Sequence, residues 1–166
     1  MFTSKSFALA RRATLGAALT LLVAACAAPQ KPVSVAETIA KTPSLSTLSG
    51  LITSAGLAND LQGTGPFTVF APNNDAFKAV KPATMEDLAK HPGKLKDLLM
   101  YHVIPVQAMA KDVKNSTVKA LNGEPLALSK AGDFVTVENA AVVQADIVAS
   151  NGVVHIVDTV MTSTKK

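Results

Sequence analysis

The stretch Phe67-Thr-Val-Phe-Ala-Pro-Asn-Asn-Asp-Ala-Phe77 changes from one kind of secondary structure to another within a few residues. Its first four residues are β-branched or aromatic, which is the composition of a strand. Ala71-Pro72 ends that strand, because proline has no amide hydrogen to donate. Asn73 to Asp75 then supply the capping and first-turn chemistry of a short helix that carries Phe77 and Val80. The stretch therefore predicts a strand followed directly by a helix.

The residues before this stretch have the spacing of helices. Ser34 and Glu37 match a capping box, which predicts a short helix through about Lys41. Thr42-Pro43 opens a second helix, with proline at its first position. Gly56 can end that helix in a left-handed conformation. One buried face of this second helix is indicated by residues three and four apart: Leu45, Leu48, Leu51 and Ile52.

More helices are predicted after the stretch. Thr84 opens one of them and Pro92 opens the next, and Pro105 ends the pattern. In the helix that follows Pro92, four side chains fall at positions i, i+3, i+4 and i+7 and share one face: Leu95, Leu98, Leu99 and His102.

From about Ser116 the apolar period changes to two, which indicates strands. Asn122-Gly123 and Asn151-Gly152 are tight-turn signals, because both central residues of such a turn need positive φ. Close strands with turns between them indicate an antiparallel sheet or a small open barrel. The predicted class is α+β, with N-terminal helices packed on a C-terminal β-rich core. The strand candidates are Val118–Leu121, Pro125–Leu128, Phe134–Glu138, Ala141–Gln144, Ile147–Ala149 and Val153–Val157.

The first 25 residues have the order of a bacterial export signal. Met1 to Arg12 carries three positive charges, and Ala13 to Ala25 is small or apolar but too short to span a bilayer. Val23-Ala24-Ala25-Cys26 resembles the lipobox of bacterial lipoproteins, which implies that Cys26 is lipidated and becomes the N-terminus. The predicted organisation is a signal at 1–25, a lipidated Cys and linker at 26–33, a folded domain at 34–162 and a polar tail at 163–166.

Two other interpretations of this leader stay open. Cleavage at an ordinary Ala-x-Ala site near Cys26 would leave a soluble periplasmic or secreted protein. Arg11-Arg12 is compatible with twin-arginine export instead of the general route. The lipoprotein interpretation places the domain on the bacterial envelope, at the outer membrane facing the periplasm or the surface. The linker Ala27 to Pro32 reaches at most ~20 Å when fully extended, so the domain would stay near the lipid.

Composition excludes several classes of function. The chain has 166 residues, 48% hydrophobic, so it can fold. The net charge of +4 falls to +1 without the leader, which argues against nucleic acid as a partner. The single Cys excludes a disulfide framework and a Cys-rich zinc site. His91, His102 and His155 lack the spacing of metal ligands, and no Gly-x-Ser-x-Gly turn is present, so the sequence predicts no metal, no cofactor and no enzyme.

Three ordered motifs resemble those of the fasciclin-like domain. They are the stretch 67–77, Leu98-Leu-Met-Tyr-His-Val-Ile-Pro105 and Asn151-Gly-Val-Val-His-Ile-Val-Asp158. The resemblance covers roughly Ser34 to Thr162. It implies helices wedged against a β-rich core and an interaction module associated with cell adhesion. The family's structural signature matches Phe67, Thr68, Val69, Phe70, Ala71, Pro72, Asn74, Phe77, Asn151, Gly152, His155 and Asp158.

The resemblance also implies two candidate contact regions. They are Tyr101 with His102, and Asp146 with Ile147. From the residues alone, each polar group also has a structural interpretation. His102 and His155 are expected to be hydrogen-bonded inside the fold. Tyr101 lies 100° off the apolar helix face, so its ring either reaches the surface as a contact or packs inside with a hydrogen-bonded hydroxyl. Asp146 is expected to cap a turn or loop.

The sequence thus predicts a monomeric, membrane-anchored module outside the cytoplasm that binds an envelope or surface protein or polysaccharide. The alternative is a carrier of a small apolar ligand, since many Val, Leu and Ala residues and few large aromatics could line a cavity. An enzyme is the least supported of the three classes.

Overall fold

The computed structural model of the chain describes residues 33–162. The leader, Cys26, the linker up to Pro32 and the tail 163–166 lie outside the described residues. Within residues 33–162 no helix has the length and apolar character needed to cross a membrane. The helices are α1 Val35–Lys41, α2 Ser46–Ser54, α3 Asn74–Ala79, α4 Pro82–Lys90 and α5 Pro92–Tyr101, with 3₁₀ turns at Pro43–Leu45 and Asp60–Gln62. The strands are β1 Phe67–Pro72, β2 Val103–Ile104, β3 Ser116–Lys119, β4 Pro125–Ala131, β5 Phe134–Val137, β6 Ala140–Ala149 and β7 Gly152–Val157.

The helices begin mostly where the capping residues predict. The Ser34 hydroxyl accepts from the Glu37 amide, and the Asn73 side chain accepts from the Ala76 amide at 2.7 Å. Gly56 follows α2 with a φ of 70°, as predicted. The start of α4 at Thr84 was a wrong prediction. Helix α4 begins at Pro82, because a proline fits the first helical turn, where its missing amide hydrogen costs nothing.

The seven strands form one sheet in the order β2-β1-β7-β6-β5-β4-β3. The prediction of an antiparallel sheet holds for every neighbouring pair except β1 and β7, which are parallel, with Phe67 opposite Gly152 and Pro72 opposite Val157. All six residues of β7 are buried. A strand buried on both faces is typical of parallel pairing, in which other elements cover the sheet on each side.

Three local details differ from the sequence prediction. Ala141–Gln144 and Ile147–Ala149 belong to one continuous strand, β6, interrupted by register shifts on either side of Gln144. The hairpin between β3 and β4 has a five-residue loop rather than a two-residue turn, since Lys119 pairs with Pro125. In the last hairpin Ala149 pairs with Gly152, so the turn residues are Ser150 and Asn151.

The buried side chains form two clusters. The larger one lies between the helices and strands β1, β2 and β7 and includes Leu48, Leu99 and Val154. The smaller one lies among β3, β4 and β5 and includes Leu126 and Val137. The Leu121 amide donates to the Val103 carbonyl at 2.8 Å. This bond joins the loop after one edge strand, β3, to the other edge strand, β2, so the sheet is nearly closed.

Candidate interaction surface

The second motif places His102 in the interior rather than at the surface. Its ring is 2% exposed and lies at the end of α5. Nδ1 is 2.8 Å from the Leu98 carbonyl, and Nε2 is 3.0 Å from the Met161 amide. An amide can only donate, so Nε2 is the acceptor and Nδ1 carries the proton. Burial lowers the pKa of His102 to about 4, so the ring is neutral at physiological pH.

Of the two alternatives for Tyr101, the structure shows packing with a hydrogen-bonded hydroxyl, and the surface position is wrong. Its side chain is 5% exposed and belongs to the smaller core cluster. Its hydroxyl donates to the carbonyl of Pro125, the first residue of β4, at 3.3 Å. Burial raises the pKa of Tyr101, and the carboxylates of Glu138 and Glu124 act in the same direction. Tyr101 thus lies outside the apolar face of α5, and strand β4, which comes later in the chain, covers it.

Two buried signature residues hold the segment 106–110 against the sheet. The Thr68 hydroxyl donates to the Val106 carbonyl at 2.6 Å and accepts from the Ala108 amide at 2.9 Å. His155 Nε2 is 2.7 Å from the Ala108 carbonyl, while its Nδ1 accepts from the Asp146 amide. Burial lowers the pKa of His155, partly offset by the Ala108 carbonyl. The His155 ring also stacks on Phe70, with centroids 5.6 Å apart.

Asp146 lies within strand β6 and not in a turn. Its backbone is left-handed, with a φ of 58°, next to the register shift between Gln144 and Ile147. One carboxylate oxygen accepts from the Ala110 amide at 2.8 Å, so the side chain fixes the same segment that Thr68 and His155 hold. The prediction that Asp146 caps a loop is confirmed, although the loop is distant in sequence. Ile147 is half-buried, pairs with Val154 and packs on the larger cluster.

Nonpolar side chains reach solvent beside this bulge. Val143 and Val148 of β6 are 57% and 62% exposed, and Val106 in the fixed segment is 45% exposed. Phe134, at the start of the neighbouring strand β5, is 79% exposed. No sequence signal marks these residues as exposed, because each occurs within or beside a strand, where a valine or phenylalanine is ordinarily counted as core. We call the following set the bulge surface: Val106, Val143, Asp146 and Val148.

Lys130 of β4 also holds the connection between β2 and β3. The Lys130 ammonium group donates to the Ala110 and Lys111 carbonyls at 2.8 and 3.0 Å. The Lys130 amide in turn donates to the Asn115 side chain at 2.7 Å. Side chains from β1, β4, β6 and β7 therefore all hold the connection between β2 and β3. Nothing in the local sequence around Lys130 signals this role.

The remaining signature residues also have structural partners. Asn151 accepts from the Val35 amide at 2.9 Å and donates to the Leu61 and Gly63 carbonyls, both at 2.8 Å. A side chain on Gly152 would overlap the Phe67 carbonyl, so only glycine fits there. Asn74 and Asp158 accept from the Thr47 and Ala141 amides at 3.0 and 2.9 Å, respectively.

The buried polar side chains of the described residues all have partners. Among residues 33–162 there is no group of three or more His, Cys, Asp or Glu side chains arranged to hold a metal ion. In the same residues every buried side-chain nitrogen or oxygen has a hydrogen-bond partner. The polar groups that the motifs supply are thus used to hold backbone segments together.

Comparison with known proteins agrees with this fold. The model of the fasciclin domain family matches residues 43–163. Protein sll1483 of Synechocystis sp. is 39% identical over 137 residues, which cover 81% of this chain and 76% of that protein. The cell surface glycolipoprotein MPB83 of Mycobacterium bovis is 34% identical over 137 residues, which cover 80% of this chain and 60% of MPB83.

A solved structure shares the architecture. The FAS1 domain pair of the insect cell adhesion molecule fasciclin I superposes with a TM-score of 0.70 at 15% identity, over 79% of this chain and 51% of that one. The chain therefore spans about half of the pair. Fasciclin domains are adhesion and interaction modules outside the cytoplasm. The three motifs, the fold and the relatives together show that this chain belongs to the fasciclin domain family.

Proposed function

We propose that this protein is a lipid-anchored interaction module of the bacterial envelope, which binds an envelope or surface protein through the bulge surface. The observation that carries the proposal is the exposure of Val143 and Val148, 57% and 62%, on a strand that Asp146 fixes to the neighbouring segment. Exposed nonpolar side chains that lie together are typical of interaction sites, and we infer that these do, because Asp146 joins β6 to the segment that carries Val106.

The rigidity of the bulge surface supports this role. Thr68, Asp146 and His155 each hold the segment 106–110 by a hydrogen bond to its backbone. A surface that is already ordered loses little conformational entropy on binding, so more of the contact energy contributes to affinity.

The chemistry of the bulge surface favours a protein partner over a polysaccharide. Three of its four residues are valines, and the core of a protein interface is its most apolar part. Asp146 uses one carboxylate oxygen to bind the Ala110 amide, so it is oriented by the fold. Tyr101 and His102 contribute by positioning α5 and the C-terminal segment, because both side chains are buried.

The proposed anchor is the acylated Cys26. Each buried methylene of an acyl chain contributes about 0.8 kcal/mol, so two or three chains attach a protein stably. The similarity to MPB83, a cell surface glycolipoprotein, supports this part of the proposal. Mass spectrometry of the native N-terminus should find acyl groups on Cys26, and Cys26→Ser should move the protein out of the membrane fraction. A native product that keeps residues 1–25 would contradict the anchor.

The proposed partner site is tested with a double variant, Val143→Ser with Val148→Ser. Both residues are exposed, so the variant should keep the parent's stability within about 1 kcal/mol. We expect the variant to lose at least about tenfold in affinity for the protein fraction of the envelope, measured by surface plasmon resonance. The control is Thr117→Ser, a change of an exposed residue on the edge strand β3.

Two results would contradict the partner site. The first is equal affinity of the parent and the double variant for the protein fraction. The second is saturable binding to the polysaccharide fraction alone, which would replace the protein partner with a glycan.

A further inference from the structure

A cavity of about 240 Å³ lies between α2, α5 and strands β1 and β2. It is partly open to solvent, and its walls belong mainly to the larger core cluster. The side chains that matter for its chemistry are nonpolar, and they include Leu48, Ile52, Leu61, Val69, Leu99 and Leu121. Empty space of this size costs stability, because the lining atoms lose dispersion contacts on one side.

The cavity offers water almost no partners. Among the lining residues only Asp60 and His102 carry polar side chains. Both nitrogens of His102 are already bound, to the Leu98 carbonyl and the Met161 amide. The Asp60 carboxylate is 59% exposed and lies 3.6 Å from the Lys96 ammonium group. A water molecule needs two to four polar partners to be held in a buried site, so the inner cavity favours nonpolar contents.

We propose that this cavity is a binding site for a small, neutral, apolar molecule of about the size of a substituted benzene. A cavity of about 150 Å³ lined by Leu, Ile and Phe binds benzene, so 240 Å³ leaves room for one ring with a short substituent. A charged ligand is excluded from the inner cavity, because its charge would lose hydration without gaining a partner. A long acyl chain is excluded by volume. This site is independent of the proposed partner surface.

Half-buried side chains give the ligand a route inward. Met100 on α5 and Leu121 in the β3–β4 loop line the cavity and are both partly exposed. Leu121 is held through its amide, which donates to the Val103 carbonyl, so its side chain can change without loss of that bond. A larger side chain at position 121 would therefore fill the cavity from its rim.

The test uses the mature chain from residue 26 with Cys26→Ser, which carries neither the apolar leader nor acyl chains, and toluene as the probe. Methyl-resolved NMR should show saturable shifts at Leu48, Ile52 and Leu99. In Leu121→Phe the toluene affinity should fall at least about tenfold. In the matched control Leu51→Phe it should stay within about twofold, because half-buried Leu51 packs on the same cluster but does not line the cavity.

Three results would overturn the proposal. They are the absence of saturable shifts up to the aqueous solubility of toluene, equal toluene affinity in the parent and Leu121→Phe, and binding of dodecanoate as tight as that of toluene. If Leu121→Phe fails to fold, Met100→Phe replaces it with the same expected loss. The absence of toluene binding would not contradict the proposed partner surface, because that surface is tested separately by Val143→Ser with Val148→Ser.

Discussion

Replacing His102 should change both the stability of the domain and its dependence on pH. The ring accepts a hydrogen bond from the Met161 amide and donates one to the Leu98 carbonyl, and it is almost fully buried. His102→Ala leaves the Met161 amide without a partner, at a cost of about 1–3 kcal/mol. The cavity left by the missing ring adds a further cost of about the same magnitude. We expect a total loss of roughly 3–5 kcal/mol in the free energy of unfolding.

The pH dependence follows from the lowered pKa of His102, about 4 in the folded state against 6.5 ordinarily. Between these pH values the unfolded chain binds one more proton at this residue than the folded chain. The free energy of unfolding therefore falls as the pH falls from 6.5 to 4. At 1.36 kcal/mol per pH unit the loss reaches about 3 kcal/mol at pH 4.

The variant His102→Gln separates these two effects, because glutamine keeps an acceptor for the Met161 amide but does not titrate. Urea unfolding from pH 7 to pH 4 measures the difference between parent and variant. We expect that difference to shrink by about 3 kcal/mol toward pH 4, while His155 titrates in both proteins and cancels. The exposed His91→Gln is the control and should stay within about 0.5 kcal/mol of the parent at pH 7. A pH-independent difference between the parent and His102→Gln would refute the reasoning.

Two further predictions concern the last hairpin. Asn151→Ala removes three hydrogen bonds to separate backbone segments and should lower the free energy of unfolding in urea by roughly 3–5 kcal/mol. The control Asn122→Ala in the β3–β4 loop should lower it by about 1 kcal/mol. Equal losses in the two variants would contradict the conclusion that Asn151 joins these segments. Gly152→Ala should lower the midpoint of thermal unfolding by more than about 10 °C, because its methyl group overlaps the Phe67 carbonyl. Gly50→Ala has open space around it within α2 and should stabilise the protein by about 0.5–1 kcal/mol. If Gly152→Ala melts like its parent, the close approach of β1 and β7 is wrong.

Features set by neighbouring residues could be predicted from the sequence. The strand and helix of the stretch 67–77 form where expected, because the strand composition and the Asn73 cap act locally, but the strand continues through Ala71 and Pro72 instead of ending there. The face of Leu95, Leu98, Leu99 and His102 is buried as a unit, because helical spacing alone aligns those side chains.

Features set by distant residues could not be predicted. Gly152 was interpreted as a turn residue, but its role is to let the Phe67 carbonyl approach, and no local pattern names that partner. The position of Tyr101 stayed open between surface and interior, because the strand that covers it begins only at Pro125. Helical spacing describes one face of one helix and carries no information on what a later strand will cover.

The candidate site shows the same division. Asp146 and Ile147 were singled out through the family resemblance, and the bond from the Ala110 amide to Asp146 gives the first of them a physical role. Val143 and Val148 were missed, since a register shift within β6 decides which side chains face solvent. Such a shift moves side chains from one face of the sheet to the other, so an alternating sequence pattern does not predict which residues are exposed beyond it.

The parallel pairing of β1 with β7 constrains the order in which the chain can fold. The parallel pair joins Phe67 to Gly152, and the Asn151 side chain holds the Val35 amide across 116 residues of sequence. Contacts this distant form late and slow the folding reaction. A nascent chain cannot assemble this pair until residue 157 has been synthesised. We therefore expect a product truncated before β7 to lack the parallel pair and to be cleaved by proteases faster than the parent.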